Sequence, residues 1–224
     1  MEFKKIEFIK KINEYDDVYS FYFKNEGINF EPGQFCHLLV EEGETREVRD
    51  MSFASLPTDN YLMFTMHVDS NTFFKNHMMN LKEGDTISLF KIVGKLKVDN
   101  TSNNKHIFIS GGVGLTPYRS IVKANILPKE SMEILQVQRG EYLFKEELEK
   151  LVNAYHSINP NSFHDSIEKV IDTNREANFY LCGSKRFIEG MNEIFEKLAI
   201  GENQIQIESF YKDKSNQKQK NFTN

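Results

Sequence analysis

Apolar residues recur in short alternating runs through the first hundred positions and in longer, mixed runs after them. Phe3 to Ile12, Val18 to Phe23, Phe35 to Val40, Met51 to Ser55, Tyr61 to Val68 and Thr86 to Phe90 each read as a short strand, with Glu31-Pro32-Gly33 and Glu83-Gly84-Asp85 as turn signals between them. Strands of this length and spacing predict an antiparallel sandwich or small barrel. One helical segment interrupts them. From Thr72 to Leu81, residues Phe73, Phe74, His77, Met78 and Leu81 recur three and four apart, and Ser70 and Asn71 stand before them as possible caps. The polar, turn-prone stretch Asp99 to Asn104 predicts a linker and separates a domain of residues 1–98 from one of residues 105–224.

Beyond the linker the periodicity changes. His106 to Ser110, Met132 to Val137 and Phe179 to Cys182 read as buried strands, alternating with helices at Pro117 to Ala124, Lys145 to Tyr155 and Phe187 to Leu198. That alternation predicts βαβ units, a parallel sheet and right-handed crossovers, a Rossmann-like α/β domain.

Composition narrows the function classes. The chain has 224 residues, 39% hydrophobic and 27% charged, which excludes a disordered or fibrous protein. A net charge of −5 offers no general attraction to phosphate backbones, so nucleic acid is not an expected partner. The two cysteines, Cys36 and Cys182, are too few for a disulfide framework, a four-thiolate cluster or a structural zinc, and no metal is expected. With no apolar run near the length of a membrane span and no signal-peptide core in the opening residues, the chain reads as cytoplasmic.

Three segments carry candidate chemistry. Gly111-Gly112-Val113-Gly114-Leu115-Thr116-Pro117 follows a predicted strand and opens a predicted helix. There, glycines let the backbone approach a pyrophosphate while the helix presents free N–H groups and its positive end. Pro117 suits a first helical turn, and a tight strand-to-helix turn without a ligand would use the same residues. Arg49-Asp50-Met51-Ser52-Phe53-Ala54-Ser55 offers a guanidinium for a phosphate and a hydroxyl for a planar ring, though an Arg and a Ser on a solvated strand face read the same way. Tyr180-Leu181-Cys182-Gly183-Ser184 places a small polarizable thiol and a glycine at a strand end, or simply a buried core cysteine.

In this order the three segments resemble the ferredoxin–NADP reductase-like family of flavin- and nicotinamide-dependent oxidoreductases, nearest its compact stand-alone bacterial branch, over about Phe3 to Phe210. The resemblance implies an antiparallel β-barrel that binds FAD and an α/β domain that binds NADPH or NADH. It implies that Arg49, Asp50, Met51 and Ser52 line the flavin, with Ser52 near its N5 and Met51 where an aromatic commonly stacks. His67 joins that cofactor-binding set, and Ser70, Asn71 and Thr72 resemble the diphosphate-binding helix start. Gly111, Gly112, Gly114, Thr116 and Pro117 would hold the dinucleotide, Cys182 and Gly183 would flank the nicotinamide, and Arg139 would reach the adenine ribose, favouring NADPH. Phe90 to Lys95 stands where relatives carry a Gly-Pro-x-Gly turn and keeps only Gly94. Glu208-Ser209-Phe210-Tyr211 resembles the terminal segment that approaches the flavin, with Glu208 assisting proton movement; the residues after Tyr211 would be a disordered tail or a cover over the site.

The expected reaction is hydride transfer from the nicotinamide to the flavin with Ser52, Cys182 and Glu208 as the catalytic set, followed by delivery of electrons to a ferredoxin, a flavodoxin or a small oxidant. The alternatives are a flavin- or nucleotide-sensing regulatory module and the reductase component of an oxygenase.

Overall fold

The computed structural model describes residues 2–94, 96–101 and 103–208. Its first part is a six-stranded antiparallel sheet built from β1 (Lys4–Tyr15), β2 (Val18–Lys24), β3 (Phe35–Glu42), β4 (Thr45–Ser52), β5 (Tyr61–His67) and β6 (Thr86–Val93). The strand order is β4-β3-β6-β1-β2-β5. Cys36, Leu38 and Val40 on β3 are fully buried while the residues between them are half-buried, the period of two that a sheet with one face on a core requires. The sheet curls like a barrel without closing. Its edge strands β4 and β5 approach just beyond the ladder, where the Ala54 N–H donates to the Met63 carbonyl at 2.8 Å.

Aromatic rings fill the curl. Phe21, Phe23, Phe53, Phe64 and Phe74 are all fully buried, and Phe30 stacks on Phe53 with centroids 3.9 Å apart. Each such ring contributes on the order of 2 to 3 kcal/mol through burial. Helix α1 (Phe73–Asn80) closes one mouth by burying Phe74 and Met78. Its N-cap is Thr72, whose hydroxyl accepts from the Lys75 N–H, and neither Ser70 nor Asn71 takes that place.

The second part is a five-stranded parallel sheet in the order β11-β10-β7-β8-β9, from β7 (His106–Gly111), β8 (Met132–Val137), β9 (Ala154–Ile158), β10 (Asn178–Cys182) and β11 (Ile205–Glu208). Helices α2 (Thr116–Lys123), α3 (Lys145–Leu148), α4 (Phe163–Asp172) and α5 (Lys185–Lys197) connect the strands. Every residue of β8 is buried, as expected of a strand covered on both faces. The strand order reverses between β7 and β10, and the crevice outside the carboxyl ends of such a pair is where α/β sheets take ligands.

The helix expected from Lys145 to Tyr155 is a correction. Only Lys145–Leu148 is helical, and Ala154–Ile158 is instead the edge strand β9, paired in parallel with β8. The Asn153 N–H donates to the Met132 carbonyl at 2.9 Å, which starts that pairing, and Tyr155 then hydrogen-bonds the buried Gln136. Sheet pairing and a buried polar partner outweigh the helical preference of Glu149, Lys150 and Leu151. No described helix is long and apolar enough to cross a membrane.

Candidate functional site

A cavity of about 1180 Å³ opens between the two sheets. One wall is the end of β4 with Asp50, Met51 and Ser52, backed by Thr65, Met66 and His67 of β5. The facing wall is built at the switch point, from Gly111 to Gly114 after β7 and Cys182 with Gly183 after β10.

The glycine-rich segment does not lead straight into an α-helix. Gly112–Leu115 form a single 3₁₀ turn that runs into α2, so the N–H groups left without intrahelical partners shift back toward Gly112, Val113 and Gly114. Pro117 lies in the first turn of α2, where its missing N–H costs nothing, and the Thr116 hydroxyl donates to the Val113 carbonyl at 2.6 Å. Gly112 sits at φ +55°, and the buried Gln136 side chain donates to its carbonyl at 3.3 Å. Gly114 passes so close to the end of β10 that a Cβ would lie 2.3 Å from the Cys182 carbonyl oxygen.

Ser52 carries the clearest chemical signal. The residue is buried, and its Oγ has no hydrogen-bond partner. A buried hydroxyl is ordinarily paired, so an unpaired one on a residue that lines a cavity points to an outside partner. Beside it, the Asp50 carboxylate bonds His37 Nδ1, and Met51 is buried. His67 Nδ1 lies 3.1 Å from Asp17, while its Nε2 would sit 3.6 Å from a Cβ on Gly112, so this imidazole spans the two walls.

Arg49 points elsewhere. Together with Ser70, Asn71 and Thr72 it does not line the cavity, and its side chain is 44% exposed. Its guanidinium pairs with Glu47, whose second carboxylate oxygen accepts from the Phe74 N–H at 2.7 Å at the start of α1. An oxyanion from the chain itself thus occupies the place where Arg49 and the helix N-terminus converge. The cradle fits an anion by geometry and by charge.

Cys182 is fully buried, and burial, then the Glu208 carboxyl, push its thiol well above the ordinary range. It is a neutral thiol, not a thiolate. Glu208 is its register partner on β11, buried behind the cavity wall and outside its lining. Desolvation raises the Glu208 carboxyl from 4.5 to about 7. The folded protein therefore binds this proton more tightly than the unfolded chain. The stability it confers is present below about pH 4.5 and lost as pH rises through about 7. Glu208→Gln is expected to leave stability unchanged at pH 4 and to exceed wild type by roughly 3 kcal/mol at pH 8 in urea unfolding. Equal stabilities at pH 8 would show that the carboxylate is solvated.

Several lining residues were not singled out from the sequence. Gln138, Phe163, His164, Arg186, Phe187 and Glu189 also line the cavity. A Cβ on Gly183 would lie 2.5 Å from the Phe187 ring, so that ring packs directly on the strand end. The Phe163, Ile167, Ile171 spacing that marks α4 was the available signal for part of this wall, while Arg186 and Phe187 follow Cys182-Gly183 by only a few residues. Residues Ser209 to Tyr211 and the tail after them lie outside the described residues, as does Lys95 of the Phe90 to Lys95 stretch. Among the described residues no cluster has the makeup of a metal site, and both cysteines are free.

No family model matches the sequence. Flavohemoprotein A of Dictyostelium discoideum is 28% identical over 232 residues, which cover 90% of this chain and 58% of that protein. The chain thus spans less than two thirds of that relative's length. A ferredoxin NADP+ reductase from Neisseria gonorrhoeae, crystallised with bound FAD and NADP, superposes with a TM-score of 0.81 at 15% identity, covering 94% of this chain and 100% of that one. The FAD/NAD-binding domain of a nitric oxide dioxygenase from Vibrio cholerae gives a TM-score of 0.73 at 20% identity, over 91% of this chain and 97% of that one.

Proposed function

We propose that this chain, built on the ferredoxin–NADP reductase-like two-domain fold, passes hydride from NADPH or NADH to a bound FAD and hands the electrons to a separate acceptor. The observation that carries this reading is Ser52, whose buried hydroxyl has no partner and which lines one cavity with the glycine-rich loop and Cys182-Gly183. Residues 1–98 hold the flavin and residues 105–224 the dinucleotide.

Bound FAD supplies the hydride acceptor and the outlet for single electrons. The chain supplies position and field. Ser52 donates its hydroxyl hydrogen to the flavin's reacting edge, and Met51 gives the ring an apolar contact. Arg49 and the α1 N-terminus hold the diphosphate, displacing the Glu47 carboxylate that rests there, with Ser70, Asn71 and Thr72 at the same helix start. The N–H groups of Gly112 to Gly114 hold the dinucleotide's phosphates, Thr116 and Pro117 close that cradle, and Cys182 with Gly183 forms the shelf for the nicotinamide. Glu208, protonated in part near neutrality, holds a proton behind that shelf. The acceptor is a ferredoxin, a flavodoxin or a small oxidant.

Anaerobic addition of NADPH and NADH to the flavin-loaded protein tests the reading. Bleaching of the flavin's visible band is expected with at least one donor. A yellow protein that neither donor bleaches would be a sensor, and a protein that takes up no flavin would overturn the role of its first part. Arg139, exposed at the cavity's edge after β8, is the proposed partner of a 2′-phosphate. Arg139→Ala is expected to raise the KM for NADPH about tenfold and to leave that for NADH unchanged, the loss of one exposed charge-assisted contact. Equal effects on both donors would remove Arg139 from phosphate recognition.

A further inference from the structure

Helix α2 touches the cavity and both domains. Its first residues, Thr116 and Pro117, line the dinucleotide side, and one turn further on Arg119 reaches the other domain. The Arg119 side chain is 8% exposed and spends its donors on three acceptors. Nη1 donates to the Ala54 carbonyl at 2.6 Å, while Nε and Nη2 form a two-pronged bond to Glu147 at 2.7 and 3.0 Å. The guanidinium carbon also lies 5.0 Å from the centre of the Phe144 ring.

Ala54 is two residues beyond Ser52, and its own N–H is tied to Met63 of β5. Arg119 therefore grips the segment that seats Ser52. The neighbouring residue makes a second grip: Ser120 Oγ accepts from the Gly33 N–H at 3.0 Å and donates to the Pro117 carbonyl at 2.9 Å. Gly33, at φ +87°, lies so near that a Cβ would meet Ile121 Cδ1 at 3.0 Å. One short rigid rod thus carries the end of the glycine-rich loop and holds the first domain's backbone at two points. An apolar face would serve adhesion alone. A buried guanidinium is costly unless fully paired, and its planar fork fixes direction as well as contact.

We propose that the Arg119–Glu147 fork is a positioning device that sets the spacing between Ser52 and the glycine-rich loop, and through it the rate of hydride transfer across the cavity. The inference rests on the function proposed above. The step it serves moves one hydride, two electrons with a proton, from reduced nicotinamide to oxidised flavin. Arg119 touches neither partner of that step, and it acts through Ala54 and α2. Lys123 supports it by bonding Glu147 at 2.6 Å.

Arg119→Lys keeps the charge and loses the fork; Glu147→Gln keeps the shape and weakens it. In anaerobic stopped-flow at saturating nucleotide, the limiting rate of flavin reduction is expected to fall about 30- to 100-fold in Arg119→Lys and about 3- to 10-fold in Glu147→Gln. Flavin content and nucleotide Kd are expected to stay within about twofold, because the binding groups are untouched. The long-wavelength charge-transfer absorbance of the nicotinamide–flavin pair should weaken in parallel, a readout that lost stability alone does not move. Wild-type rates and charge-transfer bands in both variants, or rates that fall only in step with flavin loss, overturn the proposal. If Arg119→Lys does not fold, Glu147→Gln decides it alone. A wild-type protein that binds FAD and is reduced by neither donor overturns the proposed function itself, an outcome read before either variant is made.

Discussion

Gly114→Ala is expected to abolish nucleotide-driven flavin reduction while leaving flavin binding intact. The added Cβ would lie 2.3 Å from the Cys182 carbonyl oxygen, 2.7 Å from the carbonyl carbon and 3.1 Å from the Gly183 nitrogen. All three atoms are backbone, at the end of a strand hydrogen-bonded on both sides by β7 and β11, so no side chain can swing aside to make room. Either the glycine-rich turn backs away from β10 or the strand end moves, and both walls of the proposed dinucleotide cradle belong to that contact. A displacement approaching 1 Å in a site of this kind costs about a hundredfold in rate. A fall of at least that size in the reduction rate is therefore expected, together with weaker nucleotide binding. Gly183→Ala is the control. The atoms nearest its Cβ would be those of the Phe187 ring, a side chain that can rotate, so a smaller loss is expected. Titration of each flavin-loaded variant with an unreactive nucleotide analogue gives the comparison. Wild-type affinity in Gly114→Ala would show that the loop is soft and that its closeness to β10 has no bearing on binding.

The glycines also show what a sequence can and cannot disclose. Gly112 and Gly114 were singled out because they stand in a glycine-rich turn between a buried strand and a helix, and Cys182-Gly183 because it ends an apolar run at a strand-to-helix junction. That these two segments meet is a fact of strand order, with β10 beside β7, which no local pattern encodes. The failed helix at Lys145 to Tyr155 has a related cause. Charged and apolar residues there satisfy a helical period, while the decisive contacts, Asn153 to Met132 and Tyr155 to Gln136, lie about twenty residues away in sequence. Glu47 was passed over because a glutamate on an exposed hairpin looks like any solvated charge. Its meaning appears only when Arg49 and the start of α1 are seen to converge on it. Arg119 was hidden for the opposite reason, as a charge inside a segment read only as a helix, although a buried arginine declares itself once its surroundings are known.

Ser52→Ala is expected to separate stability from activity. The hydroxyl is buried without an internal partner, so removing it takes away no hydrogen bond of the folded chain and relieves the desolvation of a lone polar atom. Thermal or urea unfolding of the flavin-free variant should therefore match wild type or exceed it by up to about 1 kcal/mol. The rate should move the other way. If the hydroxyl meets the flavin where charge changes during hydride transfer, its loss removes a preorganised donor from a site lined by Met51 and the second domain, worth about 100- to 1000-fold in the limiting reduction rate. Opposite signs in the two measurements are the signature of a group kept for a ligand at the expense of the fold. A drop in stability would instead reveal a structural partner for Ser52, and unchanged stability with an unchanged rate would place the reacting edge of the flavin away from β4. Flavin content should be recorded beside both, because a rate lost through weaker flavin binding recovers on adding excess FAD, whereas a rate lost at the transfer step does not.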